Sequence, residues 1–167
     1  MPLYAGLFFL VISRLHPAHS FSFMSLVLPR TDEKIVLLVD DEVAYLDLLE
    51  QLLSEHLACQ VRSFTTPAQA LEMLPSLNVG LIITDYQMPG MNGLQFIAEV
   101  QKKYPALPAV MITAYQLKFS QTELDKVPAL KAVVRKPFKW KTLAEHVVKH
   151  WPDKKPPAVI GSGAPFA

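Results

Sequence analysis

Polar side chains follow four separate hydrophobic segments of this 167-residue chain. The first segment ends on Asp40 and Asp41, and a later one ends on Asp85, directly before a turn rich in Pro and Gly. Two more segments end on Thr113 and on Lys136. Each residue has an ordinary explanation by itself, since acids favour helix starts and Asp favours turns. Their recurrence at segment ends indicates a shared site.

The chemistry of such a site follows from its charges. Three carboxylates clustered near one lysine are expected to repel one another and raise each other's pKa, and such a cluster is tolerable when a cation holds it together. Oxygen ligands that leave room for water suit Mg²⁺, which keeps coordination positions open for phosphate. A carboxylate nucleophile beside Mg²⁺, an amine and a hydroxyl is equipment for phosphoryl transfer.

The elements that position these residues alternate regularly between residues 34 and 151. Short aliphatic runs predict buried strands, and each is followed by a segment with helical spacing. Five such repeats predict a doubly wound α/β domain with a parallel five-stranded sheet, in which the carboxyl ends of the strands share one edge. The residues predicted to face the core are Leu46, Leu49, Leu53 and Leu57 in the first helix, and Leu94, Ile97 and Val100 in the third.

The remaining chain predicts no second domain. Residues 1–33 are expected to be an N-terminal extension, disordered or the product of a misplaced start, with the true start possible at Met24. The apolar residues 3–12 within it are too few to span a bilayer. Residues 34–151 form the predicted domain, and residues 152–167, rich in Pro, Gly and Ala, predict a disordered tail.

The composition of the chain limits the classes of partner that can be expected. The chain has 16 basic and 15 acidic residues, a net charge of +1, so nothing favours nucleic acid as a partner. Cys59 is the single cysteine, which excludes an internal disulfide and fits a reducing, cytoplasmic location. No membrane partner is expected.

Four motifs give these features a family resemblance. The strings "LLVDDE", "TDYQMPGMNG", "MITA" and "RKPF" occur in this order and resemble the receiver domain of two-component response regulators. The resemblance covers roughly residues 34–151. It implies the flavodoxin-like (βα)5 fold of CheY, with strand order 2-1-3-4-5.

The resemblance also implies a role for each site residue. Asp85 is expected to take a phosphoryl group from a phosphohistidine on a histidine kinase or a phosphotransfer protein. Asp41 and Asp85 are expected to bind Mg²⁺ directly, together with the backbone carbonyl of Gln87, while Asp40 acts through a metal-bound water.

Two further residues are expected to contact the phosphoryl group. Lys136 pairs with its oxygens, and the Thr113 hydroxyl donates to it and reports its arrival. A cis peptide bond is expected between Lys136 and Pro137. Val133 occupies a switch position that is often aromatic in the family, so this chain lacks the ring that reports phosphorylation there.

Three functions fit parts of the sequence. The first is a stand-alone receiver, a phosphoacceptor and not a conventional enzyme, that signals by contact with another protein; its alternative is a phosphorelay intermediate or phosphate sink. The second is a phosphatase of the haloacid dehalogenase type, which needs an acid where Gln87 stands. The third is a degenerate receiver used for docking, against which the complete set of site residues argues.

The surface that binds the phosphoryl donor is predicted by analogy with the receiver family. A kinase or phosphotransfer domain is expected to approach Asp85 along Ala44, Tyr45 and Leu48 of the first helix and along residues 136–138, although Leu48 could equally widen the core stripe of its helix. The protein is expected to be a monomer or a weak dimer.

Overall fold

One parallel sheet organises the domain. The computed structural model describes residues 33–114 and 120–160. Its sheet has the order β2-β1-β3-β4-β5, and every neighbouring pair is parallel. The predicted fold class and strand order are therefore confirmed. The strands are β1 (Ile35–Val39), β2 (Val61–Phe64), β3 (Val79–Asp85), β4 (Ala109–Thr113) and β5 (Leu130–Arg135).

Helices cover both faces of this sheet, because successive strand side chains point to opposite sides. Val36 and Leu38 of β1 pack in the cluster that contains residues of the first and last helices, whereas Leu37 and Val39 pack with the second and third. The helices are α1 (Val43–His56), α2 (Pro67–Met73), α3 (Gly93–Lys103), α4 (Gln121–Asp125) and α5 (Trp140–His150), and a short 3-10 turn (Leu74–Ser76) follows α2.

The core positions agree with the sequence pattern in α1 and differ in α3. All four leucines predicted for the first helix are buried. In α3, Ile97 and Val100 are buried as expected, but Leu94 is only half-buried and Phe96 is fully buried instead. The helix begins at Gly93, where the Asn92 side chain accepts from the Gln95 N–H at 2.9 Å. The buried face of α3 therefore includes Phe96 in addition to Ile97 and Val100.

The C-terminal segment is the second place where the structure differs from the prediction. Residues 152–160, predicted to be disordered, lie against the domain, with Val159 paired antiparallel to Leu57. Two backbone hydrogen bonds hold them: the Ala58 N–H donates to Ala158 at 2.8 Å, and the Ile160 N–H donates to His56 at 2.7 Å. The pairing follows α1, so the segment lies far from the acidic edge of the sheet.

Residues 1–32 and 161–167 lie outside the described residues, so the expectations about an N-terminal extension and a start at Met24 stay predictions. Within residues 33–114 and 120–160, no helix is long and apolar enough to cross a bilayer.

Candidate functional site

A cleft of about 290 Å³ opens at the carboxyl edge of the sheet. Strands β1 and β3 are neighbours, and β3 and β4 are neighbours, so their last residues meet there. The cleft brings together five of the residues predicted for the site, along with two that were not. Its lining residues are Asp40, Asp41, Glu42, Asp85, Gln87, Ala114 and Lys136.

Asp40 is the most deeply placed acid in this cleft. It directly follows β1 and is 2% exposed. Its Oδ1 accepts from the Glu42 N–H at 2.9 Å, and its Oδ2 lies 3.1 Å from Lys136 Nζ. Burial raises the pKa of Asp40, and the Glu42 N–H and the Lys136 charge oppose this only in part. Burial therefore makes the charged form of Asp40 less favourable than it is in water.

Lys136 connects two of the acids. Its backbone N–H donates to the Thr113 carbonyl at 2.8 Å, and the following peptide bond to Pro137 is cis. The ammonium lies 2.8 Å from Asp85 Oδ1 and 3.1 Å from Asp40 Oδ2. Burial by itself lowers the pKa of Lys136, but the hydrogen bond to Asp85 and the attraction of both carboxylates outweigh it, so the pKa is raised. The lysine therefore stays charged beside Asp85.

The backbone after β3 presents Asp85 at the edge of the cleft. Asp85 Oδ2 accepts from the Gln87 N–H at 2.5 Å. Gly90, with φ of +78°, supplies the left-handed turn that brings the chain back. Gly93 then approaches so closely that a Cβ there would lie 2.2 Å from the Asp85 carbonyl oxygen. The glycines therefore fit a fold-back that holds Asp85 against the first turn of α3.

The other predicted residues lie where their strands end. Asp41 and Gln87 are exposed at the rim. Thr113 is buried at the end of β4, and its neighbour Ala114 lines the cleft. Val133, on the edge strand β5, is 40% exposed and does not line it.

Comparison with known proteins agrees with this geometry. Residues 36–148 match the family described as the response regulator receiver domain. The chain belongs to this family. Receivers are phosphoacceptors of two-component systems that take a phosphoryl group from histidine kinases or phosphotransfer proteins and bind Mg²⁺ at the phosphorylation site.

Relatives of this receiver include longer regulators. The response regulator protein FleR of Pseudomonas aeruginosa is 34% identical over 118 residues, 69% of this chain and 24% of FleR. The DNA-binding transcriptional regulator NtrC of Escherichia coli is 28% identical over 141 residues, 78% of this chain and 28% of NtrC. The chain thus spans about a quarter of the length of these curated relatives.

Solved structures share the receiver fold. The response regulator protein TrrA of Thermotoga maritima, in complex with Mg(2+)-BeF, is 32% identical with a TM-score of 0.62, over 70% of this chain and 98% of TrrA. An uncharacterized protein from Neptuniibacter caesariensis is 34% identical with a TM-score of 0.61, over 70% of this chain and 86% of that one.

The donor set of the cleft fits Mg²⁺. Asp40, Asp41 and Asp85 line the open cleft and bring three carboxylate groups to it, and Gln87 lines it as well. In residues 33–114 and 120–160 no group of three or more His, Cys, Asp or Glu side chains is arranged to hold a metal ion by itself. An incomplete protein shell is typical of Mg²⁺, which binds through one or two carboxylates and keeps several waters.

One contact of the site was missed by sequence reasoning. The ring centroid of Tyr45, in the first turn of α1, lies 4.1 Å from Lys136 Nζ. The ring of Phe138 meets the Tyr45 ring edge-on, with centroids 6.3 Å apart. The sequence places both residues only on a partner surface. The signal that could have found the contact is the position of Tyr45 one turn after Asp41.

Proposed function

We propose that Asp85 is the phosphoacceptor of this receiver. The observation that carries the proposal is the Lys136 ammonium, 2.8 Å from Asp85 Oδ1, in a cleft that is open to a donor. A cation at this distance can neutralise charge that arrives on the phosphoryl oxygens. The donor is a phosphohistidine on a histidine kinase or a phosphotransfer protein.

The transfer step uses groups that the cleft brings together. A carboxylate oxygen of Asp85 attacks phosphorus in line, an O–P bond forms, and the P–N bond of the phosphohistidine breaks with its electron pair leaving on the imidazole. The product is an acyl phosphate on Asp85. Lys136 then contacts the phosphoryl oxygens, a charge-assisted hydrogen bond worth about 1.5–3 kcal/mol. Thr113, at the end of the neighbouring strand, donates its hydroxyl to the same group.

The metal would be held by residues of the same cleft. Asp41 and Asp85 would bind Mg²⁺ directly, the Gln87 backbone carbonyl would be a third ligand, and Asp40 would act through a metal-bound water. When bound, Mg²⁺ neutralises charge on the transferring phosphoryl group. The receiver itself catalyses the transfer and the later hydrolysis of the acyl phosphate, so it is a phosphoacceptor and not a conventional enzyme.

The output is contact with a separate downstream protein. The stand-alone role belongs to this proposal, whereas the curated relatives FleR and NtrC are longer regulators. The docking surface for the donor consists of Ala44, Tyr45, Leu48 and residues 136–138. Leu48 is 51% exposed, which supports a surface role over a core role. The receiver acts in the cytoplasm as a monomer or weak dimer, without nucleic acid or membrane partners.

The alternative is a phosphorelay intermediate or a phosphate sink without an output of its own. The side chain at position 133 favours it. Val133 has a stiff χ1 and no ring that could swing into space left by the Thr113 hydroxyl. A receiver without that movement can still accept and pass on a phosphoryl group.

Incubation with acetyl phosphate and Mg²⁺ tests the proposal. Intact mass should show one added phosphoryl group that peptide mapping places on Asp85, and EDTA should prevent it. Asp85→Asn should remove the label. Asp47→Asn, at an exposed acid on α1, is the matched control and should keep it. Labelling of Asp85→Asn at the wild-type level would refute the assignment.

A further inference from the structure

Tyr45 makes a third contact to the lysine of the site. Lys136 Nζ lies within ion-pair distance of Asp40 and Asp85, and it also lies 4.1 Å from the centroid of the Tyr45 ring. A cation near an aromatic face is attracted by the negative charge of that face. Tyr45 belongs to α1 and Lys136 follows β5, so this contact joins two elements that the ion pairs do not join.

The ring is itself held in place. Phe138, two residues after Lys136, packs edge-on against the Tyr45 ring at an interplanar angle of 75°. Tyr45 is half-buried, and burial raises the pKa of its hydroxyl to about 12. The phenol is therefore neutral near pH 7, and Lys136 meets a π face and not a phenolate.

A third contact matters because Lys136 is a flexible side chain with two competing acids. A lysine that is free to move must lose the rotamer freedom of its long side chain when a transition state requires it in one place. The ammonium is shared between Asp85 Oδ1 at 2.8 Å and Asp40 Oδ2 at 3.1 Å. The ring limits the positions that the ammonium can take while it is shared in this way.

We infer that Tyr45 is a positioning residue that holds the Lys136 ammonium over Asp85 for phosphoryl transfer. The inference rests on the proposed phosphorylation of Asp85. It gives Tyr45 a role inside the site, in addition to its place on the surface where a donor docks.

The first test observes the contact without any phosphorylation. In NMR spectra of the isotopically labelled full chain, the ε-methylene protons of Lys136 should be shifted upfield by the ring current in wild type and in Tyr45→Phe. They should return to ordinary values in Tyr45→Leu. Tyr104→Leu is the matched control, since Tyr104 is also half-buried and follows α3. Unshifted Lys136 signals in folded wild-type protein would overturn the inference.

The second test measures the rate of phosphorylation by acetyl phosphate with Mg²⁺. This donor is too small to need the docking surface, so a change in rate reports on the site itself. Loss of a cation–π contact should slow Tyr45→Leu about 3- to 10-fold, whereas Tyr45→Phe should stay within about 2-fold of wild type. Tyr104→Leu should match wild type.

The outcomes separate the inference from the function on which it rests. Wild-type protein that takes no label would refute the proposed function, and the NMR shifts would still decide the contact. Normal labelling of wild type and equal labelling of Tyr45→Leu would refute the positioning role alone. Circular dichroism establishes that each variant is folded, and Tyr45→Met, which has similar bulk and no ring, replaces Tyr45→Leu if that variant is not.

Discussion

Gly93→Ala should destabilise the domain, although alanine is normally the better residue in a helix. Gly93 is the first residue of α3, and helix propensity alone would make the change favourable by roughly 0.5–1 kcal/mol. The contacts around Gly93 reverse the sign of this expected change in stability. A Cβ at this position would lie 2.2 Å from the Asp85 carbonyl oxygen and 3.1 Å from Tyr86 Cα.

The magnitude follows from what the methyl group meets. Overpacking costs typically about 1–3 kcal/mol, and it costs least when a flexible side chain can move away. Here the neighbours are backbone atoms, and the Gly93 N–H also donates to the Tyr86 carbonyl at 2.8 Å. We therefore expect a cost of about 3 kcal/mol, the upper end of that range, and after the favourable helix propensity a net loss of about 2–2.5 kcal/mol in the free energy of unfolding.

Urea denaturation of wild type, Gly93→Ala and Gly90→Ala measures this loss. Gly90 has φ of +78°, and among the described residues no atom lies within 4 Å of the place that an added methyl group would take. Its alanine variant should therefore lose only about 1–2 kcal/mol, from backbone strain. Gly93→Ala should also take phosphate from acetyl phosphate more slowly, because relief of the clash displaces Asp85. A Gly93→Ala variant as stable as wild type would show that the close approach is not what positions Asp85.

Three more predictions concern charge, metal and switching. Without metal, Asp40→Asn should be more stable than wild type at pH 7, and its advantage in urea unfolding should shrink as the pH falls toward the ordinary Asp pKa of 3.8. The asparagine variant gains this advantage because burial raises the pKa of Asp40, so wild type loses stability as the pH rises through the pKa of the folded state. Equal free energies of unfolding for the two proteins at every pH would contradict this prediction. Mg²⁺ at about 100 times its dissociation constant should stabilise wild type by about 2.7 kcal/mol, seen as a higher Tm, and should stabilise Asp41→Asn far less. Beryllofluoride with Mg²⁺ should change hydrogen exchange across residues 115–129, with no rotamer change at Val133, because this segment follows Thr113 and contains only the short helix α4. Residues 115–119 of it lie outside the described residues. Changes confined to the Asp85 loop would favour a relay or sink.

Local pattern was enough to predict the sheet and most of the cleft. Strands and helices that alternate at this spacing form a parallel sheet, and the carboxyl ends of parallel strands share one edge. Residues at those ends, such as Asp40, Asp85 and Lys136, were therefore predictable from the sequence as members of one edge, whereas the order of the strands came from the resemblance to receiver domains. The α1 leucines were predictable for the same reason, since a helical period determines which side chains share a face.

Contacts between distant parts of the chain were decided only by the tertiary structure. The ring of Tyr45 meets Lys136, and Val159 pairs with Leu57, across separations in sequence that no period spans. Composition suggested disorder for the segment that contains Val159, but backbone groups at the end of α1 offer hydrogen-bond partners to it. Periodicity states which face a residue occupies, whereas the partner on that face depends on how the elements pack.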